Sequence, residues 1–561
     1  MDKKISIVLA GEAGQGIQSI EGIIVTVLKK DGYNIFATKE YMSRVRGGVN
    51  STTIIVAESN IDAYYENMDI FIPLSDEAIK RYEKRIKQNT TILADNTQVH
   101  HPKITNLPIQ HLASELGNVI FSNTIAAGVI LGIFDASQEL IDNFIKNLFQ
   151  KKGEEIVNKN LEAVKMGYNI GKELKNNKVI DINISKTGDK NSFLINGADA
   201  IAIGALAGGC NACFAYPMTP STSVFTNMAS YSKNYNIAVE QVEDEIGVIN
   251  MALGCWYAGG RALVTTSGGG FALMTEGLSL AGMTETPVVI HLAQRPGPAT
   301  GLPTRTEQGD LNLALYAGHG VFPRIILSPG DLKQAFELSA LAFNLADKFQ
   351  IPVFILSDQY FVDTYYNIPI FDVDGIKTEN HIVETTKDYK RYKITDDGIS
   401  PRGIPGYGEG LVAVDSDEHD EEGRITEDLD GISLEMKNKR LKKFKTVEDV
   451  ALPPILYGKE DYKKLIICWG STLNIVLEAV KNIANSEIAV LFFQQVYPLH
   501  KSTIDFLNKA KNIIAIENNS TGQFADLIKK ITGFEIKNKI LKYNGLQFSA
   551  EELIQKLKES L

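Results

Sequence analysis

From Asn196 to Phe361 short apolar runs recur between longer helix-like stretches, and nearly every run stops at glycine, proline, serine or threonine. The runs predicted as strands are Cys213–Tyr216, Ile237–Gln241, Ala262–Thr266, Pro287–Ala293, Arg324–Leu327 and Pro352–Leu356. Runs with little polar alternation suit strands buried on both faces, and the intervening stretches are long enough for crossover helices. That alternation constrains the region to a doubly wound parallel sheet. In such a sheet ligands bind beyond the carboxyl ends of the strands.

Every unusual loop of this region falls at such an end. The first is Tyr216-Pro217-Met218-Thr219-Pro220-Ser221-Thr222-Ser223, ahead of a helix expected over Val224–Ser230. Pro220 suits the first helical position and Thr219 the N-cap, with Ser221 and Thr222 in the first turn. Amides and hydroxyls at such a start suit a small carboxylate or phosphate; taken alone, the stretch is a well-capped helix. The second loop, Glu240–Gly247, opens a helix through Trp256. Glu245 begins it among Ile246, Val248, Ile249, Met251 and Leu253. A carboxyl in that setting costs free energy unless a partner bonds it, and its raised pKa would let it share a proton with a ring nitrogen. Glu243 and Asp244 read as acids favoured by the helix dipole. The third loop is Thr265-Thr266-Ser267-Gly268-Gly269-Gly270. The fourth, Gln294–Asp310, carries Arg295, Thr304 and Arg305. Four such loops on one edge exceed what turn chemistry requires.

Ahead of this region, Lys3–Ala10 reads as a buried strand leading through Gly11-Glu12-Ala13-Gly14-Gln15-Gly16-Ile17 into a helix to about Leu28. Strand, glycine loop and helix can cradle a phosphate. The G-x-x-G-x-G spacing matches neither the dinucleotide fingerprint nor the P-loop, so a tight turn and a ligand loop stand equal. Arg44 and Arg46 beside Gly47-Gly48 suit an anionic ligand or a neighbouring subunit, with solvated charges the alternative. Strands near Asp69–Leu74 and Thr91–Asp95 continue the α/β pattern, and Val119–Phe134, interrupted by Ser122, Asn123 and Thr124, reads as a buried helix rather than a membrane span. The predicted organisation is a domain over 1–176, a polar linker over 177–192, the sheet domain over 193–375, a charged connecting segment over 376–455 and a smaller α/β domain over 456–561. Within the connecting segment the acidic run from Asp415 to Glu422 reads as a solvated face.

The net charge of −11 argues against nonspecific nucleic-acid binding. Four cysteines and no segment resembling a secretory signal make a disulfide framework unlikely to be needed and the cytoplasm the expected compartment. Cys210 and Cys213 form a C-x-x-C, but Cys255 and Cys468 lie far off in sequence; small buried cysteines are expected, and no metal ligand is assigned to the chain.

Tyr-Pro-Met-Thr-Pro-Ser, Val-Glu-Asp-Glu-Ile-Gly, Thr-Thr-Ser-Gly-Gly-Gly and Gly-Leu-Pro-Thr-Arg-Thr together resemble the α subunit of 2-oxoacid:ferredoxin oxidoreductases. The amino-terminal Gly-Glu-Ala-Gly-Gln-Gly-Ile and Ser-Arg-Val-Arg-Gly-Gly-Val-Asn resemble that family's γ subunit, fused in front. Met218 stands where the family usually has Ile. The resemblance implies an α/β chain with a γ-type domain, a central pyrimidine-binding domain and a carboxyl-terminal domain like that of transketolases. It implies CoA-dependent oxidative decarboxylation of a 2-oxoacid to acyl-CoA and CO2 with thiamine diphosphate, electrons passing to ferredoxin. Glu245 matches the glutamate that hydrogen-bonds the cofactor's aminopyrimidine ring, with Thr266, Ser267 and Gly268 on the same side. Tyr216, Thr219, Pro220, Ser221 and Thr304 belong to the implied substrate site. Either Arg295 or Arg305 holds the substrate carboxylate, with Arg305 favoured. Gly11, Gly14, Gly16, Arg44 and Arg46 fall in the implied coenzyme A region.

The family's Gly-Asp-Gly with a later Asn-Asn, which holds magnesium and diphosphate, has no counterpart here; Asn518-Asn519 lacks that context. Mg2+, diphosphate and the [4Fe-4S] cluster are therefore expected from a β subunit, in a dimer of αβ heterodimers without nucleic acid or membrane. Fused α–γ chains favour 2-oxoglutarate, or else pyruvate or a broad range. The rival readings are a non-catalytic scaffold binding coenzyme A or a nucleotide, and a self-sufficient thiamine enzyme or nicotinamide dehydrogenase.

Overall fold

The computed structural model describes residues 3–43 and 48–561, so the expectation for Arg44 and Arg46 lies outside the described residues. The chain forms two compact units, residues 1–196 with 363–370, and residues 197–362 with 371–561.

The first unit is built on an eight-stranded sheet in the order Ile104–Asn106, Thr91–Ala94, Ile70–Pro73, Lys4–Glu12, Val49–Ala57, Asn34–Glu40, Tyr365–Ile368, Phe193–Ile195. Strand Lys4–Glu12 pairs in parallel with Ile70–Pro73 and antiparallel with Val49–Ala57. The sheet thus has a parallel half and an antiparallel half, and the glycine loop leaves from their boundary. Helix Ile17–Lys30 follows that loop and turns Ile20, Ile23, Ile24, Val27 and Leu28 into the core. The apolar run noted in the sequence becomes the buried helix Ser122–Ile133. It lies close against Glu154–Asn176, where added Cβ atoms at Gly128, Gly132, Gly167 and Gly171 would strike the facing backbone. Residues 177–192 run along this core; Ile180 and Ile182, two apart as on an extended chain, are buried in it.

The second unit contains two sheets. The larger has the order Gln495–Tyr497, Ile325–Leu327, Pro352–Asp358, Val288–Gln294, Ala262–Thr266, Ala212–Ala215, Ala238–Gln241. Its six sequence-anticipated strands are all parallel, and only Gln495–Tyr497 runs against its neighbour. The smaller sheet runs Ile455–Tyr457, Ile488–Phe493, Lys464–Trp469, Asn512–Glu517, Asn538–Leu541. Among the described residues no helix is long and apolar enough to cross a membrane.

The connecting segment is more ordered than its charge pattern predicts. It carries the 18-residue helix Ile432–Asp449, whose buried side includes Lys439 and Lys443. Both ammonium groups meet the buried carboxylate of Glu285, Lys439 at 2.5 Å. A helix that buries lysines shows no apolar stripe, so periodicity could not reveal it. The acidic run is only in part the solvated face expected, with Ser416, Asp417 and Glu422 exposed. Its Glu418 pairs with Arg440 at 2.8 Å, its Glu421 with Lys390 at 2.9 Å, and its His419 is buried against the Tyr392 ring at 3.9 Å.

Candidate active site at the strand ends

The four singled-out loops emerge from the carboxyl ends of Ala212–Ala215, Ala238–Gln241, Ala262–Thr266 and Val288–Gln294, neighbours in the larger sheet. The first departs from expectation. Helix Thr222–Tyr235 starts two residues ahead of the expected Val224 and two beyond Pro220, with Ser221 rather than Thr219 at the N-cap and no side-chain cap. The hydroxyls are spent differently: Ser221 Oγ donates to the Met218 carbonyl at 2.6 Å and Ser223 Oγ to that of Pro220 at 3.0 Å. Such local bonds compete with capping and stabilise a tight turn instead. Thr219 sits in that turn, before a cis bond to Pro220, and Tyr216 is 40% exposed at its rim.

Arg295 holds the same turn: its Nη1 donates to the Thr219 carbonyl at 2.6 Å. The guanidinium is buried, which lowers its pKa, although Asp310 opposes that. Arg305 stands ten residues on, half-buried, in a loop fixed by Thr306, whose N–H donates to the Gly545 carbonyl and whose Oγ1 donates to Asp358. Thr304 is buried beside it.

Glu245 is 3% exposed at the start of helix Glu245–Tyr257, and Asp244 caps that helix by accepting from the Gly247 N–H at 2.7 Å. Desolvation raises the Glu245 pKa, and nearby Asp244 adds to it. Its Oε1 is buried without a hydrogen-bond partner. Two further buried polar atoms share that condition nearby in the same loops: Ser267 Oγ and Asp310 Oδ2.

Glu245 and Asp310 flank Gly268-Gly269-Gly270, the first turn of the short helix Gly268–Leu273, and Ser267 stands at the N-cap of that helix. A Cβ on Gly270 would collide with Glu245 Oε1 and Thr266 Oγ1, and one on Gly268 would stand 2.5 Å from both carboxylate oxygens of Asp310. Buried polar atoms are seldom left unpaired, so three of them within these loops set this edge of the sheet apart. Thr266 and Ser267 are wholly buried, so within this loop Gly268 to Gly270 offer backbone and the two hydroxyls line the turn behind it.

Asp310 was not singled out by the sequence, being the last residue of a long loop with no local mark of burial. Burial and neighbouring Glu307 push its pKa up to about 7, with Arg295 pulling the other way. Gln294 Oε1 accepts its backbone N–H at 3.0 Å. The other buried ionisable groups near this edge are satisfied. His291 bridges Thr265 and Ser357 at 2.8 Å each and is kept neutral by burial, its pKa down to about 3. Asn518 and Asn519 bond the carbonyls of Lys542, Leu546 and Gln308, together with the carboxylate of Glu517, so their amides are spent on the interior.

The cysteines do not form a site. Cys210, Cys213 and Cys468 are buried, Cys255 is half-buried, and burial raises every thiol pKa. No cluster able to hold a metal occurs among the described residues.

In the first unit Gly14 and Gly16 take positive φ of 96° and 76°, and Gly11 packs on Leu74 and Gln15. Gln15 braces the loop, accepting from the Glu12 N–H at 2.6 Å and donating to the Leu74 carbonyl at 3.3 Å. Two cavities meet at Gly14. One, of about 370 Å³, is largely apolar and lined by Leu74, Leu93, Val99, Ile109 and Ala126; the other, of about 270 Å³, has a mixed lining that includes Ser19, Glu21, Lys39 and Asn50.

A doubly wound parallel sheet with an orphaned glutamate at its strand ends defines a chain of the ligand-binding α/β class. Known proteins narrow that class. Residues 203–438 match the family described as pyruvate flavodoxin/ferredoxin oxidoreductase, thiamine diphosphate-binding, and residues 6–170 that described as pyruvate ferredoxin/flavodoxin oxidoreductase. The 2-oxoacid:ferredoxin oxidoreductase subunit alpha of a Sulfolobus species is 30% identical, covering 99% of this chain and 96% of its own length. The 2-oxoglutarate oxidoreductase subunit KorA of Mycobacterium tuberculosis is 26% identical over 98% of this chain and 90% of its own. A 2-oxoglutarate:ferredoxin oxidoreductase structure from Magnetococcus marinus, with 2-oxoglutarate, coenzyme A and succinyl-CoA bound, superimposes over 100% of both chains with a TM-score of 0.92 at 30% identity. The chain belongs to the 2-oxoacid:ferredoxin oxidoreductase family.

Proposed function

We propose that this chain is the catalytic α-type subunit, with a fused γ-type domain, of an enzyme that oxidatively decarboxylates a 2-oxoacid to acyl-CoA and passes electrons to ferredoxin. Residues 1–176 are the coenzyme A-associated part, 193–375 the pyrimidine- and substrate-binding part, 376–455 the connection, and 456–561 a packing domain. The observation that carries the reading is the buried, unpartnered Glu245 carboxyl against Gly270.

Bound thiamine diphosphate supplies a carbon nucleophile for the 2-oxo carbon. Glu245 holds or releases a proton at Oε1 towards the cofactor's aminopyrimidine ring, its raised pKa suiting that exchange. Gly268 to Gly270 leave room for the ring, and Thr266 and Ser267 close the pocket behind them. Arg305 binds the 2-oxoacid carboxylate by charge-assisted hydrogen bonds. Arg295 is assigned chiefly to fixing the turn, because its Nη1 already serves the Thr219 carbonyl. That leaves the Thr219 side chain, with Tyr216, Pro220 and Ser221, to present the turn to substrate. Gly14 stands between the two cavities, Gly16 lines the second and Gly11 opens the same loop, an arrangement that suits a phosphate-bearing cofactor with an apolar arm, as coenzyme A is. A β subunit supplies diphosphate contacts, magnesium and cluster, in a dimer of heterodimers.

The relatives named for 2-oxoglutarate favour that substrate. The test is to co-purify the chain with its partner and measure CoA-dependent viologen reduction with 2-oxoglutarate, pyruvate and branched 2-oxoacids. Reduction with 2-oxoglutarate is expected; none with any of them overturns the proposal, and a non-catalytic scaffold would then stand.

A further inference from the structure

Asp310 ends the arginine-bearing loop and faces the same triglycine turn as Glu245, yet Oδ2 has no partner and no role in the chemistry above. It lies between charges of both signs: Glu307 on its own loop and the Arg295 guanidinium at the loop's start. Across the turn stands Glu245, and behind Asp310 the neutral amide of Gln294 accepts its N–H. Among the described residues no ion pair or side-chain hydrogen bond holds Asp310 in its charged form. An arriving 2-oxoacid brings at least one carboxylate to this side of the site. A second negative charge on Asp310 would oppose it at short range in a water-poor setting.

We propose that Asp310 captures a proton from solvent when the 2-oxoacid binds and turns its unpartnered Oδ2 into a hydrogen-bond donor to the bound acid. This rests on the reading of the site as a 2-oxoacid pocket. The step is balanced by one solvent proton gained on binding and returned on release, with no covalent bond of substrate made or broken. Asp310 thereby makes recognition selective for an anion that accepts, and links affinity to pH. Because the free carboxyl titrates near neutrality, the linkage falls where the substrate-free group is ionised, at and above pH 7.

The probes are N-oxalylglycine and oxamate, unreactive amide isosteres of 2-oxoglutarate and pyruvate. Each is titrated calorimetrically into the enzyme assembled with its partner, between pH 6.5 and 8.5, in buffers of different ionisation heat. The wild type is expected to take up close to one proton per site at the upper end, its Kd weakening up to about tenfold per pH unit above pH 7. Asp310→Asn should bind with Kd independent of pH in that range and no uptake, while Glu307→Gln should keep the uptake. Absence of uptake in the wild type overturns the proposal, as does uptake unchanged in Asp310→Asn or lost in Glu307→Gln. Should Asp310→Asn fail to assemble, the wild-type series decides. CoA-dependent reduction without proton uptake sinks Asp310's role alone; failure of both isosteres to bind, together with no reduction of viologen by any 2-oxoacid, sinks the 2-oxoacid reading with it.

Discussion

Two buried glutamates of the second unit stand in opposite conditions. Glu285 is reached by Lys439 and Lys443, and Arg391 donates to its carbonyl at 2.8 Å. Burial there works against ionisation, but Lys443, Lys439 and Arg391 outweigh it and hold the carboxyl well below its usual range. Glu245 has burial offset only by its own backbone N–H and no cation: its pKa rises and its Oε1 is orphaned. A buried charge with partners is part of the structure, whereas one without partners waits for a ligand. The difference separates the carboxylate that locks the connecting helix from the one to which the proposed function assigns chemistry.

The contrast breaks first at Glu245. Glu245→Gln should lower CoA-dependent turnover by about 10²–10⁴-fold while leaving co-elution with the partner unchanged and heat stability no lower than wild type. Glu285→Gln should do the reverse. It leaves two buried ammonium groups short of a counter-charge, costing about 3–5 kcal/mol, and the folded fraction keeps its specific activity. Thermal melts read beside viologen reduction check both. Next in size, Arg305→Ala should raise the KM for the 2-oxoacid by about 10–100-fold, the worth of a charge-assisted bond. Smallest is the pH effect at Asp310. Its folded pKa lies above the usual carboxyl value, so the folded state binds the extra proton. Its contribution to stability is whole below about pH 4 and is lost as pH rises through about 7. Asp310→Asn should therefore melt higher than wild type at pH 8, by roughly 2–4 kcal/mol at most, and equally at pH 4, in a pair of melting curves.

What the sequence revealed follows the same division. The parallel strands were legible because runs such as Val288–Gln294 are apolar on both faces, and the loops because glycine, proline and serine punctuate them. Glu245 stood out as a charge opening an apolar helix. Asp310 did not, because its isolation depends on Gly268, forty-two residues away and in contact only after the sheet forms. Helix Ile432–Asp449 stayed hidden for a related reason: its buried lysines make sense only beside Glu285. The start of Thr222–Tyr235 was misplaced because the sequence shows that Thr219 and Ser221 can cap, but not that Ser221 bonds Met218 or that Arg295 reaches the Thr219 carbonyl. Local chemistry is readable in a chain; the partners that satisfy or abandon a buried group are set by tertiary structure.

The central claim is that the Glu245 carboxyl is left unpaired to bond the cofactor's ring. Calorimetric titration of thiamine diphosphate with magnesium into the assembled, cofactor-free enzyme tests it most directly. Glu245→Gln should bind at least tenfold more weakly than wild type, since a charge-assisted bond is replaced by a neutral one. Equal affinity in the two proteins would contradict the account.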